Sequence, residues 1–592
     1  MTDAGSRFIV PAMLKRVKPR GIALYAAASA AVWSVWSVWF AACSFPFMPE
    51  PALPPNKEIT VSGTNPVSTL DFSGVSQSIT VHLTNLNNQS VYLVKYAAAF
   101  AAAQHTGYAV PGATAAQRRT IPQQESLSGV FTASDGSTGA RYDHLAAQQF
   151  NHDPPPISAA SRAVTGEKRA SKAYTEDGTT GRFWVEPGAS GESAWIQKRA
   201  TLRATGEHAA VWVADENFTA AASSDTDNRI TREQAETLAA AFDAMYEKET
   251  AIFGYEYGGG PDGDGGRDGD KKIQILIFDI DGDYQQEQRG GVFGYFWSKD
   301  FYTQAEINNA GRGDTVKTNY AEMVYLDAHC ADKYQDGAVS TLAHEFQHMI
   351  NFNEKSVTSN FNQTSETWFD EMLSMLAEDL IDPLLAIDEK EFPYNQRIPL
   401  FLNGYTERSP TAWYTDNVLY SYANAYAFGA YLARNFGGAA LIQHMMTNGK
   451  VNEAAIADAV NSAAAHGSSW TFSSILSRFG ESLVFSGTAK PSGVFSFDTT
   501  VTQTINGTDY AFAGFDIWRM ENPLAGSKVS ANADDTYPSE GPFILDTNYS
   551  MNMPANTFIV QSNGTWQNKT GTLSITLAKP ASHSVTLFIM IR

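Results

Sequence analysis

The run from His344 to His348, His-Glu-Phe-Gln-His, places two histidines four residues apart and constrains this chain more than any other feature. Positions i and i+4 lie about 40° apart around an α-helix, so both imidazoles can reach one ion only if the segment is helical. Leu342, Phe346 and Ile350 would form the apolar face of that helix. The pattern therefore predicts a buried helix that carries two metal ligands.

Glu345 follows the first histidine directly, so its carboxylate could reach a water molecule bound to the metal. A zinc ion lowers the pKa of such a water, and a neighbouring carboxylate can take its proton. The alternative is that surface or capping histidines flank a glutamate by chance. The chain has 11 histidines in 592 residues, which makes that coincidence rare.

A catalytic zinc usually has three protein ligands and one open position. Glu366 and Glu371 lie 18 and 23 residues after His348, in a segment whose apolar spacing fits a second helix. The two glutamates lie about 140° apart on a helix, so they cannot serve equally. We predict that Glu371 points inward, and that Glu366 lies near the helix start, where its charge favours the dipole.

The segments HEFQHMINF and TWFDEMLSMLAEDL resemble the hyicolysin family of neutral zinc metallopeptidases, within the gluzincin clan of thermolysin and the aminopeptidase N type. The resemblance covers roughly residues 180 to 470 and implies a zincin-type catalytic domain that binds Zn²⁺. It also implies that Glu371, three residues after Trp368, is the third zinc ligand. Asp370 departs from the clan, which usually has asparagine there, and adds a negative charge near the metal.

The aminopeptidase N type has a tyrosine that opens a helix and stabilises the oxyanion. The run from Ser421 to Gly437 is similar to that helix, and Tyr422 lies fifteen residues before its last glycine. The resemblance therefore implies that Tyr422 is catalytic, with Tyr426 and then His444 as the next candidates. The alternative is that the tyrosines of this helix are core aromatics.

Two further patterns concern the surroundings of the predicted metal site. The segment AEMVYLDAH, residues 321–329, reads as a strand, and we expect it to be the edge strand that binds substrate. Aspartates on glycine-rich turns suit Ca²⁺, although the spacing is not that of an EF-hand and a solvated acidic turn is the alternative. The predicted calcium ligands are Asp262, Asp264, Asp268, Asp270, Asp279, Asp281 and Asp283.

The N-terminus has the pattern of an export signal. A basic cluster precedes the uncharged stretch 21–42, and Cys43 follows small residues, as in a bacterial lipoprotein signal. A retained membrane anchor and plain cleavage are the alternatives. If Cys43 is lipidated, Cys330 has no intramolecular disulfide partner. We expect an extracytoplasmic, lipid-anchored protein at the outer membrane, the cell surface or in the periplasm. The net charge of −21 argues against a nucleic-acid partner.

The sequence predicts an α+β multidomain protein in which a zincin-type catalytic domain is flanked by an N-terminal β-rich region and a C-terminal β-sandwich-like region. The predicted function is an exported zinc endopeptidase acting on extracellular proteins. Endopeptidase is preferred over aminopeptidase because no G-A-M-E-N-like run binds a free amine. The alternatives are a non-catalytic surface adhesin or structural lipoprotein, and a zinc hydrolase of esters or epoxides.

The predicted parts are a signal with lipobox (1–43), a Pro-rich tether (44–57), a β-rich segment (58–95), a low-complexity linker (96–178), a zincin N-terminal α+β subdomain (179–355), a helical subdomain (356–486) and a C-terminal β domain (487–592).

Overall fold

A computed structural model gives the fold. The predicted signal segment with Cys43, and the aspartates Asp281 and Asp283, lie outside the described residues. No helix within the described ranges combines the length and the apolar character needed to cross a bilayer. The structure describes residues 57–72, 76–98, 108–110, 131–132, 138–139, 141–142, 144–158, 174–186, 195–220, 228–280, 291–313, 315–416, 418–463, 469–487, 490–527, 536–544, 551–566, 569–578 and 584–592.

Strands lie mainly at the two ends and in the first half of the chain, and helices dominate the middle. The strands are β1 (Lys57–Ser62), β2 (Val67–Phe72), β3 (Ser76–Thr84), β4 (Gln89–Ala98), β5 (Tyr108–Val110), β6 (Phe131–Thr132), β7 (Thr138–Gly139), β8 (Arg141–Tyr142), β9 (Thr180–Val185), β10 (Ile196–Thr205), β11 (Ala209–Ala214), β12 (Ile273–Phe278), β13 (Gly291–Val292), β14 (Gly294–Phe296), β15 (Met323–Asp327), β16 (Val501–Ile505), β17 (Thr508–Phe512), β18 (Met551–Met553), β19 (Phe558–Trp566), β20 (Gly571–Ala578) and β21 (Ser584–Ile591). The α-helices are α1 (Leu145–His152), α2 (Arg232–Phe253), α3 (Gln304–Asn309), α4 (Ala328–Lys333), α5 (Gln335–Asn351), α6 (Thr367–Ile381), α7 (Pro393–Gln396), α8 (Ile398–Gly404), α9 (Val418–Phe436), α10 (Gly438–Thr447), α11 (Asn452–Ser462), α12 (Phe472–Ser477) and α13 (Phe479–Phe485).

Strands β9 to β12, β14 and β15 form a six-stranded mixed sheet with the order β14-β15-β12-β11-β10-β9. Strands β11, β12 and β15 are parallel, and every residue of these three strands is buried. Strands covered on both faces are continuous apolar runs in the sequence, which is why IQILIF, the sequence of β12, is recognisable as a buried strand. Helix α2 packs against β10 and β11, and α5 packs against β14 and β15. Helix α2 begins with a capping box, in which the side chains of Thr231 and Gln234 each accept a hydrogen bond from the other's backbone N–H.

The edge of this sheet differs from the prediction. The segment AEMVYLDAH contains β15, but β15 lies inside the sheet because β14 pairs with it in antiparallel fashion. Tyr295 of β14 lies opposite Tyr325 of β15, and their rings stack with centroids 4.4 Å apart. The expectation that residues 321–329 form the edge strand was therefore wrong, and β14 takes that place.

The helical layer follows the sheet and packs α6 between α5 and α9. Arg434 of α9 forms a buried ion pair with Asp379 of α6, with Nη1 2.9 Å from Oδ2. Both side chains are at most 2% exposed, so the pair fixes α9 against α6 at a defined register.

Strands from the two ends of the chain pair with each other. One sheet has the order β1-β3-β20 and the other β19-β4-β21-β2. Their inner faces share one apolar cluster, which includes Val81, Leu83, Val91 and Leu587. The combination of this β structure with the mixed sheet and the helical layer is the α+β, multidomain, zincin-like architecture expected from the sequence.

Candidate metal centre

Helix α5 carries both histidines of the His-Glu-x-x-His run on one face. His344 and His348 are each 4% exposed, and their ring centroids lie 4.8 Å apart. Leu342, Phe346 and Ile350 are completely buried on the same helix. The apolar residues thus seat α5 in the core while both imidazoles remain directed toward α6.

Helix α6 brings Glu371 to the histidines. Its Oε2 lies 3.2 Å from Nε2 of His344 and 3.6 Å from Nε2 of His348. One ligand atom from each of the three residues lies within 4.8 Å of the other two. Two imidazoles and a carboxylate are a donor set that Zn²⁺ takes in catalytic sites, so these residues fit such an ion. Across the described ranges, no other set of three histidine, cysteine, aspartate or glutamate side chains converges in this way.

Glu366, the alternative ligand, lies elsewhere. It is the exposed N-cap residue of α6, and its Oε2 accepts a hydrogen bond of 2.8 Å from Nε1 of Trp368. The net rotation of about 140° between Glu366 and Glu371 around a helix directs their side chains differently, as their spacing implies. The structure therefore brings Glu371, and not Glu366, to the two histidines.

The outer nitrogens of both histidines also contact acidic side chains. Nδ1 of His344 lies 2.5 Å from Oε1 of Glu378, and Nδ1 of His348 lies 3.0 Å from Oδ1 of Asp370. Such partners hold the ring and its proton so that Nε2 faces the metal position. Asp370, which stands where the clan usually has asparagine, thus contacts His348. Glu378 was not predicted, although its spacing of two helical turns from Glu371 on α6 is a usable signal.

Glu345 lies between α5 and the edge strand. It is 1% exposed, and its Oε2 accepts a hydrogen bond of 2.7 Å from the backbone N–H of Phe296 in β14. The carboxylate is therefore held at the edge strand of the mixed sheet. This position fits a group that exchanges protons.

Among the oxyanion candidates, Tyr422 is the one that lies beside the metal ligands. Its hydroxyl is 3.5 Å from Oε1 of Glu371, at the start of α9. Tyr426 instead donates to Asp379, and burial together with that carboxylate raises the pKa of its hydroxyl. His444 is half-exposed and pairs with Asp458.

Five of the predicted calcium ligands lie within the described residues, and they differ in burial. Asp262 and Asp264 are exposed, whereas Asp268 and Asp270 are buried and Asp279 is partly buried. Asp268 accepts a hydrogen bond from the N–H of Asp270 at 2.9 Å. Calcium binding by these aspartates stays a prediction.

Helix α1, which the sequence did not predict, lines the other side of the site. Gln148 and Asn151 of this helix reach Glu371 and Phe296 respectively. Nothing in the sequence indicated Gln148 and Asn151, because the surrounding segment is rich in Ala, Gln and Pro and has no extended helical spacing of apolar residues.

Comparison with known proteins agrees with the geometry. The family model described as Peptidase M30 matches residues 188–501, which include α5, α6 and α9. Neutral metalloprotease ShpI of Staphylococcus hyicus is 31% identical over 244 residues, which are 40% of this chain and 47% of that protein. The chain thus spans about half the length of this relative. The resemblance to the hyicolysin family is confirmed, and because the match extends over more than half of its residues, the chain belongs to the Peptidase M30 family.

Proposed function

We propose that the chain is a zinc-dependent endopeptidase. The observation that carries the proposal is the convergence of His344, His348 and Glu371, with Glu345 on the same helix as the two histidines. The family's description as a peptidase and the relative's name, neutral metalloprotease, support it. The expected substrates are proteins and peptides.

His344, His348 and Glu371 would hold Zn²⁺, which when bound supplies Lewis acidity and lowers the pKa of a water molecule. Glu345 takes a proton from the attacking water and delivers it to the leaving nitrogen. The hydrogen bond from Phe296 N–H holds that carboxylate in place between the two transfers. Tyr422 donates its hydroxyl proton in a hydrogen bond to the oxygen on which negative charge develops.

The edge strand of the mixed sheet supports the binding of an extended chain. Strand β14 pairs with β15 on one side and ends the sheet on the other. A peptide can bind such an edge as an additional strand, through backbone hydrogen bonds that do not depend on its sequence. This mode suits cleavage within a chain, and no G-A-M-E-N-like run for binding a free amine is present in the sequence.

Export of the enzyme and lipidation at Cys43 are part of the proposal and rest on the N-terminal sequence alone. The basic cluster followed by an uncharged stretch and a cysteine supports them. Extracellular proteins are then the expected substrates. Mass spectrometry of the N-terminus of protein isolated from the native cell tests this part, because a lipidated chain would begin at Cys43.

Substitution of Glu345 by glutamine tests the catalytic role without removing a metal ligand. We expect the variant to keep its zinc content and to cleave casein about 10²- to 10⁴-fold more slowly. Glu366→Gln, on the exposed start of α6, is the matched control and should leave both quantities unchanged. Wild-type cleavage by a zinc-loaded Glu345→Gln protein would refute the mechanism.

A further inference from the structure

Helix α1 contacts two residues that the proposed chemistry requires. Nε2 of Gln148 donates a hydrogen bond to Oε1 of Glu371 and a second one, of 2.7 Å, to the hydroxyl of Tyr422. Gln148 is 8% exposed, so its carboxamide is inserted among these groups rather than lying over them. The amide group of a substrate would have to occupy the same position beside Glu371 and Tyr422 that the Gln148 carboxamide occupies.

Asn151, one turn further along α1, contacts the edge strand. Its Nδ2 donates to the carbonyl of Phe296 at 2.9 Å, and its Oδ1 accepts from the N–H of Ser298 at 2.8 Å. A carboxamide that donates to one backbone group and accepts from the next copies the pairing of an added strand. The backbone groups at the end of β14 are therefore already used.

The residues after α1 are fixed to the same surface. The hydroxyl of Tyr302 donates to the carbonyl of Pro155 at 2.8 Å, and Arg312 pairs with Asp153 at 2.7 Å. The cavity left between α1 and the metal ligands measures about 10 Å³, which is room for about one water molecule. A peptide cannot enter while residues 144–158 hold this position.

We propose that residues 144–158 form an autoinhibitory cover segment. Gln148 and Asn151 occupy the places of two substrate amide groups, one at the metal ligands and one on β14. The segment precedes residues 188–501, which the family model matches. The site opens to peptides when the cover segment is displaced. This inference rests on the proposed peptidase function.

Binding of a peptide hydroxamate tests the cover segment without any turnover. The full chain is loaded with zinc, its zinc content is measured, and hydroxamate affinity is determined by calorimetry. The Gln148→Ala, Asn151→Ala double variant should bind about 10- to 100-fold more tightly than wild type, because it lacks the hydrogen bonds that hold the cover closed. Gln149→Ala, an exposed neighbour on the same helix, is the matched control and should behave like wild type.

Hydrogen exchange supplies a second measurement. Hydroxamate binding to wild type should speed the exchange of amides in α1, because the helix must leave the site. Equal hydroxamate affinity in all three proteins at full zinc content, with α1 equally protected, would refute the cover segment alone. Failure of every protein to bind zinc would instead refute the proposed function, and the cover segment with it.

A second cavity, of about 340 Å³, lies between the loop that follows α2 and the starts of β12 and β15. Glu256 and Glu322 line it and are 5% and 8% exposed. Each has one carboxylate oxygen, Oε2, that is buried and accepts no hydrogen bond. Within the described part of the chain, no lysine or arginine forms an ion pair with either glutamate, and the nearby Arg267 pairs with Glu306.

The loop is shaped around these two carboxylates. A Cβ atom at Gly259 would lie 2.3 Å from the carboxylate of Glu256, and one at Gly266 would lie 2.3 Å from that of Glu322. Only glycine allows this approach at both positions. The other oxygens are held by the hydroxyl of Tyr246 at 2.8 Å and the N–H of Arg267 at 2.9 Å. The loop therefore encloses two buried acids, each with one carboxylate oxygen that accepts no hydrogen bond.

Buried carboxylates without a partner destabilise a fold strongly unless they are protonated or neutralised by a cation. From the geometry we infer that this cavity is a divalent-cation site of the calcium type, with Glu256 and Glu322 as carboxylate ligands. Hard oxygen donors on a glycine-rich loop suit Ca²⁺, whose coordination waters would fill the remaining volume. These ligands differ from the aspartates that the sequence suggested.

Thermal unfolding of the zinc-loaded full chain, with CaCl₂ alone as the titrant, tests this site. We expect Ca²⁺ at about 100 times its Kd to raise the Tm of wild type by about 3 °C. Glu256→Gln and Glu322→Gln keep the side-chain shape and should abolish the shift. Asp262→Asn, at an exposed position of the same loop, should retain it. A wild-type protein without a shift would show that the two acids are protonated instead. Glutamine variants that keep the shift would show that Ca²⁺ binds elsewhere, which would equally refute the site.

Discussion

Replacing Glu378 by glutamine isolates the contribution of a charge behind the metal ligand His344. Oε1 of Glu378 lies 2.5 Å from Nδ1 of His344, and Oε2 lies 3.3 Å from the hydroxyl oxygen of Ser340. Glu378 is 1% exposed, so solvent screens this charge little. In the glutamine variant the carbonyl still accepts from His344, and the amide can donate to Ser340, whose own proton goes to Asp382 at 2.8 Å. The substitution thus removes the charge and keeps the hydrogen bonds.

The magnitude follows from that difference. Loss of a group behind a ligand lowers metal affinity by about 10- to 100-fold. Because its hydrogen bonds persist, Glu378→Gln should lie at the lower end, about 10-fold or 1.4 kcal/mol. Glu378→Ala loses both the charge and the hydrogen bonds, so we expect about 100-fold or 2.7 kcal/mol.

Zinc affinity is measured by competition between the apo protein and a chromophoric chelator at neutral pH. Glu366→Gln on the same helix is the control and should match wild type, because its side chain contacts Trp368 and not the histidines. If Glu378→Gln and Glu378→Ala both bind zinc as wild type does, the carboxylate does not act on His344. If the two variants lose equal affinity, the charge and not the hydrogen bond carries the effect.

Three further predictions follow. Tyr422→Phe should lower kcat by about 10²- to 10³-fold with zinc affinity unchanged, as measured by steady-state kinetics and zinc content. Asp379→Asn leaves the buried guanidinium of Arg434 without its charge partner and should destabilise the fold by about 3–5 kcal/mol in urea unfolding. Burial lowers the pKa of Lys355 from 10.5 to about 8, so the unfolded chain binds more protons between these values and stability should rise with pH there. Lys355→Met should flatten that slope in urea unfolding across the same range.

The local parts of the site were predictable because short-range spacing determines them. The four-residue separation of His344 and His348 predicts that both side chains lie on one face of a helix, and this prediction needs no tertiary contact. The same holds for the direction of Glu371 relative to Glu366, which depends only on the helical repeat. Continuous apolar runs such as IQILIF likewise predict buried strands, since both faces must be covered.

The surroundings of the site depend on strand pairing and on contacts between distant segments, which no local sequence pattern predicts. Strand β14 has only three residues, Gly294–Phe296, which is too short for a recognisable alternation. Without β14, residues 321–329 are the natural choice for the edge. Gln148 and Glu371 are 223 positions apart in the sequence, and a single sequence contains no local pattern that predicts a contact over such a separation.

The pairing of the chain's two ends also sets an order for folding. Strand β4 lies between β19 and β21, so the β structure that begins at residue 57 is complete only when the last strand has been made. The elements of the metal centre, from β14 to the start of α9, are much closer together in sequence, and contacts of shorter separation form faster. Helix α1 precedes all of them in the chain. The proposed cover segment is therefore already present when β14, α5 and α6 assemble, and it can close the site before the two ends of the chain pair.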